Sequence, residues 1–185
     1  MFRHSPIFWV ALFSSLATGI YGFITKQEVL AIPYTFINPS LLFLITSLKK
    51  FESVKRRLEI LAALVIFLNI PGSVYLHRIG FQYDIILHFF VSFAAFQTAY
   101  LILPLLLKKP YVPRTTAALI TIAGGFIFEG VQKLSDTLFS TALFFDIAQS
   151  TQLDFIIDIL VNILGVLVGA IFLKFTSAQS SSQAI

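Results

Sequence analysis

Three stretches of the chain, Ser5–Thr25, Val29–Leu48 and Ile60–Leu76, contain no Asp, Glu, Lys, Arg or His. A charge at mid-bilayer is costly, and a helix rising about 1.5 Å per residue needs roughly 20 residues to cross about 30 Å of hydrocarbon. Stretches of this kind read as membrane spans. The composition agrees, since 57% of the 185 residues are hydrophobic and 12% charged, where a soluble domain carries about 25% charged residues. The mean hydropathy is +0.89. About six spans with short loops use up such a length, leaving no room for a separate soluble domain. The expected fold is therefore all-α, an integral membrane bundle of six transmembrane helices. It forms a single domain over residues 1–175, with a Ser-rich tail, residues 176–185, expected to be disordered. Arg3 before the first apolar run resembles a signal peptide, but the run exceeds the roughly 7–15 residues of a signal core, so it reads as a retained helix.

The second half of the chain is interrupted differently. Thr115–Phe128 and Ile159–Leu173 are each too short to span alone. To cross, the fifth helix must continue through Glu129 and Gln132 towards Leu138, and the sixth must begin near Asp154 and carry Asp158 inside. The fourth span, Asp84–Leu107, can leave Asp84 and His88 at the interface. Pro33, Asn38 and Pro39 in the second stretch, and Asn69 and Pro71–Gly72 in the third, predict kinks or irregular ends, with Pro71–Gly72 a place for the third helix to stop early.

With no cysteine, disulfides, thiolate metal sites and cysteine nucleophiles are all excluded. The net charge of +4 points to topology signals rather than to nucleic acid in a chain this apolar. On alternate sides of six helices, Arg3, Lys49, Lys50, Lys55, Arg56, Arg57, Lys108, Lys109, Arg114 and Lys174 fall with the N-terminus. That is ten of the thirteen Lys and Arg, leaving Lys26, Arg78 and Lys133 opposite. This bias predicts both termini in the cytoplasm, the Lys49–Arg57 loop being the main anchor.

Depth along each helix follows from the same rise per residue. Counted from the cytoplasmic ends, His88, Glu129, Asp154, Asp158 and Asn162 fall in or near the outer third of the bilayer. Asp84 and His88 are spaced i,i+4, Glu129 and Gln132 i,i+3, and Asp154, Asp158 and Asn162 form an i,i+4,i+8 stripe. Lipid cannot solvate a carboxylate, so three polar stripes at one depth should turn inward and share a pocket open to the outside. Four carboxylates and an imidazole crowded there need compensation. A divalent cation ligated by Asp84, His88, Asp154 and Asp158, protonated and hydrogen-bonded carboxylates, or a cationic group such as Arg78 or Lys133 would each serve. Plainer roles stand beside these. Asp84 and Asp154 at helix starts complement the macrodipole, His88 can donate to Asp84, and Asn162 can join two helices. Glu129 and Asp158, acids inside required spans, point most strongly to function. Gly165 and Gly169 read as a small-xxx-small packing face, and Gly124–Gly125 likewise. The aromatic residues are expected at lipid-facing or interfacial positions. P-loop, Rossmann, His-Glu-x-x-His and Gly-x-Ser-x-Gly patterns are absent.

Tyr83-Asp84-x-x-x-His88-Phe89, Glu129-x-x-Gln132 and Asp154-x-x-x-Asp158-x-x-x-Asn162-x-x-Gly165-x-x-x-Gly169 together resemble the pattern of VanZ-like and YjdF-like bacterial membrane proteins over about residues 80–173. The Glu-x-x-Gln and Asn-x-x-Gly elements look VanZ-like. Tyr83-Asp84 and the Ser150-Thr151-Gln152 lead into Asp154 look YjdF-like. The resemblance implies a cell-envelope role in a bacterial cytoplasmic membrane. VanZ-like proteins often carry an Arg before the last acidic stripe, whereas no Arg follows Arg114 here, so glycopeptide resistance is not carried over.

Three functions are compatible with these residues. The first is a membrane enzyme or lipid-headgroup binder at the outer face, in which a cation polarises a phosphate or ester and Glu129, Asp158 and His88 are the candidate catalytic groups. Its partners would be membrane lipids and a lipid-linked or envelope headgroup. The second is a proton- or cation-coupled transporter, although no inverted repeat of the polar residues is visible. The third is a structural or accessory protein whose polar layer fixes helix packing.

Overall fold

A computed structural model describes residues 4–27, 31–74, 83–139 and 151–182. Every regular element among them is helical, and none is a strand. In chain order these are α1 (Pro6–Ile24), a π-helical turn (Pro33–Ile37), α2 (Asn38–Ser47) and a 3-10 turn (Lys49–Val54). Then come α3 (Lys55–Val74), α4 (Tyr83–Leu107), α5 (Arg114–Phe139) and α6 (Thr151–Ser182). The chain divides into two compact units, the boundary falling between Leu87 and His88 near the start of α4.

In the first unit Phe8, Ala11 and Leu12 of α1 pack with Leu42 of α2 and Ala63 and Ile66 of α3. The expected irregularity at Pro33 is the π-helical turn. Proline lacks an N–H, and the wider turn there leaves carbonyls to satisfy. Ser15 does so from α1, its hydroxyl donating to the Tyr34 carbonyl at 2.7 Å. Gly19 lets α1 lie against Thr35, whose Oγ1 would overlap any side chain at that position. Pro71 and Gly72 do not end α3, which runs on to Val74. The Tyr83 hydroxyl donates to the Leu68 carbonyl at 2.8 Å, one residue past the Phe67 carbonyl whose i+4 donor Pro71 removes. Gly72 leaves room for the Tyr83 ring that delivers this bond.

The second unit is built on Phe96, Ala117 and Val166, one from each of α4, α5 and α6, with Tyr100, Ile122 and Leu173 packed around them. Helix α4 closes on Lys108, which adopts a left-handed φ of 53°, and the Lys109 N–H returns to the Pro104 carbonyl at 3.0 Å. Helix α6 runs to Ser182, so residues 176–182, expected as a disordered tail, have a helical backbone.

Three of the described helices, Pro6–Ile24, Tyr83–Leu107 and Gln152–Phe175, are long and apolar enough to cross a membrane, rather than the six expected. The second stretch is divided by the π-helical turn, which leaves α2 only 10 residues. Helix α3 opens on Lys55, Arg56, Arg57 and Glu59. Helix α5 dilutes its apolar residues with threonines, glycines, Glu129 and Lys133. Outward faces remain strongly apolar throughout, with Phe13, Ile24, Leu119, Ile127, Phe128 and Phe175 all more than half exposed. Apolar surface on this scale is what lipid covers. The aromatic residues divide between this surface and the interior, where Phe8, Phe96, Tyr34 and Phe51 are buried.

Candidate functional site

The polar residues of the second unit meet because α4, α5 and α6 each turn one polar stripe inward. On α4 the stripe is longer than the Asp84–His88 pair suggested. Ser92 continues it one turn further, so the three stand at i, i+4 and i+8, matching Asp154, Asp158 and Asn162 on α6. Asp84 and Ser92 are buried and His88 half-buried.

Close approach of α4 and α6 depends on Gly165. A methyl there would overlap the Phe89 carbonyl oxygen and lie 3.2 Å from the Phe93 nitrogen. Gly169, one turn on, faces the Phe96 ring, and beside it the Gln97 side-chain amide donates to the Gly169 carbonyl at 3.0 Å. On α5, Gly125 stands against the Asn162 side chain, one turn ahead of Glu129 on the same face.

Glu129, Asp158 and Asn162 are 4%, 4% and 7% exposed. The His88 ring lies among them. Its Nδ1 is 3.2 Å from Glu129 Oε1 and 3.3 Å from Asn162 Oδ1, and its Nε2 is 3.8 Å from Asp158 Oδ1. Asn162 links the neighbours to each other. Its Oδ1 accepts from the Ser92 hydroxyl at 2.6 Å, and its Nδ2 donates to Glu129 Oε1 at 3.4 Å. One imidazole, two carboxylates, an amide and a hydroxyl thus form a buried polar knot inside apolar helices. Such groups can bind a cation, pass a proton or lock three helices together.

Of the residues singled out in the sequence, His88, Glu129, Asp158 and Asn162 come together in this knot. Asp84 lies one turn before His88 on α4, and Asp154, half-buried, one turn before Asp158 on α6. The side chain of Gln132, and Arg78 altogether, lie outside the described residues. Lys133 sets its ammonium 5.0 Å above the Phe155 ring centroid, a cation–π arrangement.

Sequence reading missed Ser92 and Gln97, although Ser92 was signalled by its four-residue step from His88. It also missed a second buried polar pair, in the first unit. Glu59, 1% exposed, accepts from the Ser5 backbone N–H at 3.2 Å and pairs with His4 Nδ1 at 3.0 Å. The His4 ring stacks on Phe8 with centroids 3.9 Å apart. The contact pins the start of α1 to the first turns of α3.

Apolar helices of spanning length with ionisable groups turned inward define an integral membrane protein. The chain belongs to a family of predicted membrane proteins (DUF2238), whose model matches residues 6–179. No curated protein and no solved structure matches it.

Proposed function

We propose that this protein, in a bacterial cytoplasmic membrane, holds a divalent cation through His88 and Asp158 near the extracytoplasmic face and uses it to engage a lipid or envelope headgroup. The observation that carries the reading is the placement of His88, with Nδ1 against Glu129 and Nε2 towards Asp158 at 3.8 Å. Asp84 and Asp154, one turn away on the same helix faces, are the further oxygen donors. A histidine whose second nitrogen is held by a carboxylate is the usual outer shell of a protein metal ligand. Buried acids in apolar helices favour a cation, because neither lipid nor neighbouring side chains solvate them as water does. A cation so held would polarise a phosphate or ester oxygen, with Glu129 beside it to accept or return a proton.

The Lys and Arg distribution supports both termini in the cytoplasm. In that topology α3, α5 and the segment from the π-helical turn through α2 complete six crossings around their polar or irregular portions. The spacing of the α4, α5 and α6 motifs favours a VanZ-like or YjdF-like relationship. Proton- or cation-coupled transport is the second reading, favoured by the same hydrogen-bonded string of Ser92, Asn162, Glu129 and His88.

Thermal unfolding of the purified protein with added zinc or manganese tests the proposal. Wild type should be stabilised, while Asp158→Asn and His88→Ala should not respond. Equal responses in all three, or none in wild type, would leave a packing role for the knot.

A further inference from the structure

In the first unit, α1 carries two distinct faces. Phe8, Ala11 and Leu12 enter the core. On the opposite side Pro6, Trp9, Val10 and Phe13 stand at i, i+3, i+4 and i+7, all exposed and all on one helix face. With His4 they line an open groove of about 750 Å³, a volume typical of ligand sites. The Trp9 and Phe13 rings stack along it with centroids 6.1 Å apart. His4 closes its N-terminal end, fixed by the 3.0 Å contact of Nδ1 with Glu59 Oε1 and set edge-on to the Trp9 ring.

The Glu59 contact brings a basic segment to the same end. Arg56 and Arg57 lie within a turn of Glu59 on α3, and Lys49 and Lys50 lie in the 3-10 turn that leads into that helix. All four are exposed, and among the described residues none of them is in an ion pair. From Lys49 to Arg57 there are five basic residues and one acid, Glu52. The Glu59 oxygens are engaged by His4 and the Ser5 N–H. An apolar groove ending beside unneutralised guanidinium groups complements a molecule with a hydrocarbon chain and a negative head. From Pro6 to Phe13 the helix rises about 10 Å, most of the roughly 15 Å of hydrocarbon in one leaflet. A chain laid along the groove therefore keeps its phosphate at the level of the basic segment.

We infer that this groove seats an anionic phospholipid, its acyl chain along Trp9 and Phe13 and its phosphate against Arg56 and Arg57. Guanidinium groups bind phosphate oxygens in pairs, and the amphipathic Trp9 ring suits the boundary between head and chain. That the lipid belongs to the cytoplasmic leaflet rests on the topology proposed above. The site itself depends neither on that topology nor on a cation at His88.

Trp9 is the chain's single tryptophan, so its fluorescence reads occupancy of the groove. The full chain is reconstituted in phosphatidylcholine vesicles. Part of the lipid is replaced by phosphatidylglycerol brominated near the headgroup end of its chains or, in parallel, by phosphatidylcholine brominated at the same carbons. Bromine in contact with the indole quenches it. Phosphatidylglycerol should compete for the groove roughly fivefold or more better than phosphatidylcholine, the factor a single nearby basic residue gives an anionic lipid. The double variant Arg56→Gln/Arg57→Gln should bring the ratio close to one. Lys26→Gln, at the far end of α1, should leave it unchanged. Equal quenching of wild type by the two lipids overturns the inference whether or not the variants fold, and so does a preference that survives in the double variant. Quenching by neither lipid also overturns it, because a second copy of the chain or another protein then covers the groove.

Discussion

Gly165→Ala should be among the most damaging single-methyl additions in the second unit. The added carbon would overlap the Phe89 carbonyl oxygen and lie 3.2 Å from Phe89 C and Phe93 N, all backbone atoms of α4 that no rotamer change can move aside. Relief to an ordinary C···O separation requires α4 and α6 to part by roughly 1 Å. Asn162 lies one turn before Gly165, and Ser92 lies on the facing stretch of α4. Such a shift would stretch the 2.6 Å Ser92–Asn162 bond to about 3.6 Å, past its useful range. Overpacking costs about 1–3 kcal/mol, and losing a buried hydrogen bond adds about 1 kcal/mol. At about 2–4 °C per kcal/mol for a chain of this size, the midpoint should fall by roughly 5–15 °C. The assay is thermal unfolding in detergent, with Gly124→Ala as control, because a methyl at Gly124 meets nothing within 4 Å. The control should move by no more than about 2 °C. If Gly165→Ala melts with wild type or with the control, the close approach of α4 and α6 is not what holds the knot together.

Two further outcomes concern the first unit. Glu59→Ala removes the acceptor of the Ser5 N–H and the partner of His4. It should lower stability by about 1–3 kcal/mol, read by the same melt, while leaving the response to zinc unchanged. Because the chain has no native cysteine, one introduced at Glu52 in the turn between α2 and α3 gives a clean accessibility probe. Impermeant maleimide should label it in inverted vesicles and not in intact cells, and the reverse would overturn the proposed topology.

Much of this architecture is written in where charges interrupt apolar runs. Helix α5 continues past Glu129 to Phe139 and α6 starts at Thr151, ahead of Asp158, so both acids lie within helices, although only α6 of the two is apolar enough to span a membrane. Helical spacing alone was enough to put Asp158 and Asn162 on one face, and to suggest that His88 and Glu129 meet them. Less legible were features that depend on partners distant in sequence. Pro71 looked like a stop, yet α3 runs on past it to Val74. Glu59 drew no notice because its partners, His4 and Ser5, lie more than fifty positions away. The second stretch looked like one span because charge counting does not register the π-helical turn at Pro33. Ser92 was passed over for being neutral, yet its hydroxyl donates to the Asn162 side-chain oxygen inside the knot.

The most direct test is the divalent metal content of the purified protein, determined by elemental mass spectrometry on wild type and Asp158→Asn, with melting measured before and after chelation. If His88 and Asp158 hold a cation, wild type should retain about one metal ion per chain and lose stability on chelation, and Asp158→Asn should retain none and be indifferent to the chelator. Metal-free wild type whose melting ignores both zinc and chelator would contradict the cation site and leave the buried knot as a device for proton transfer or helix packing.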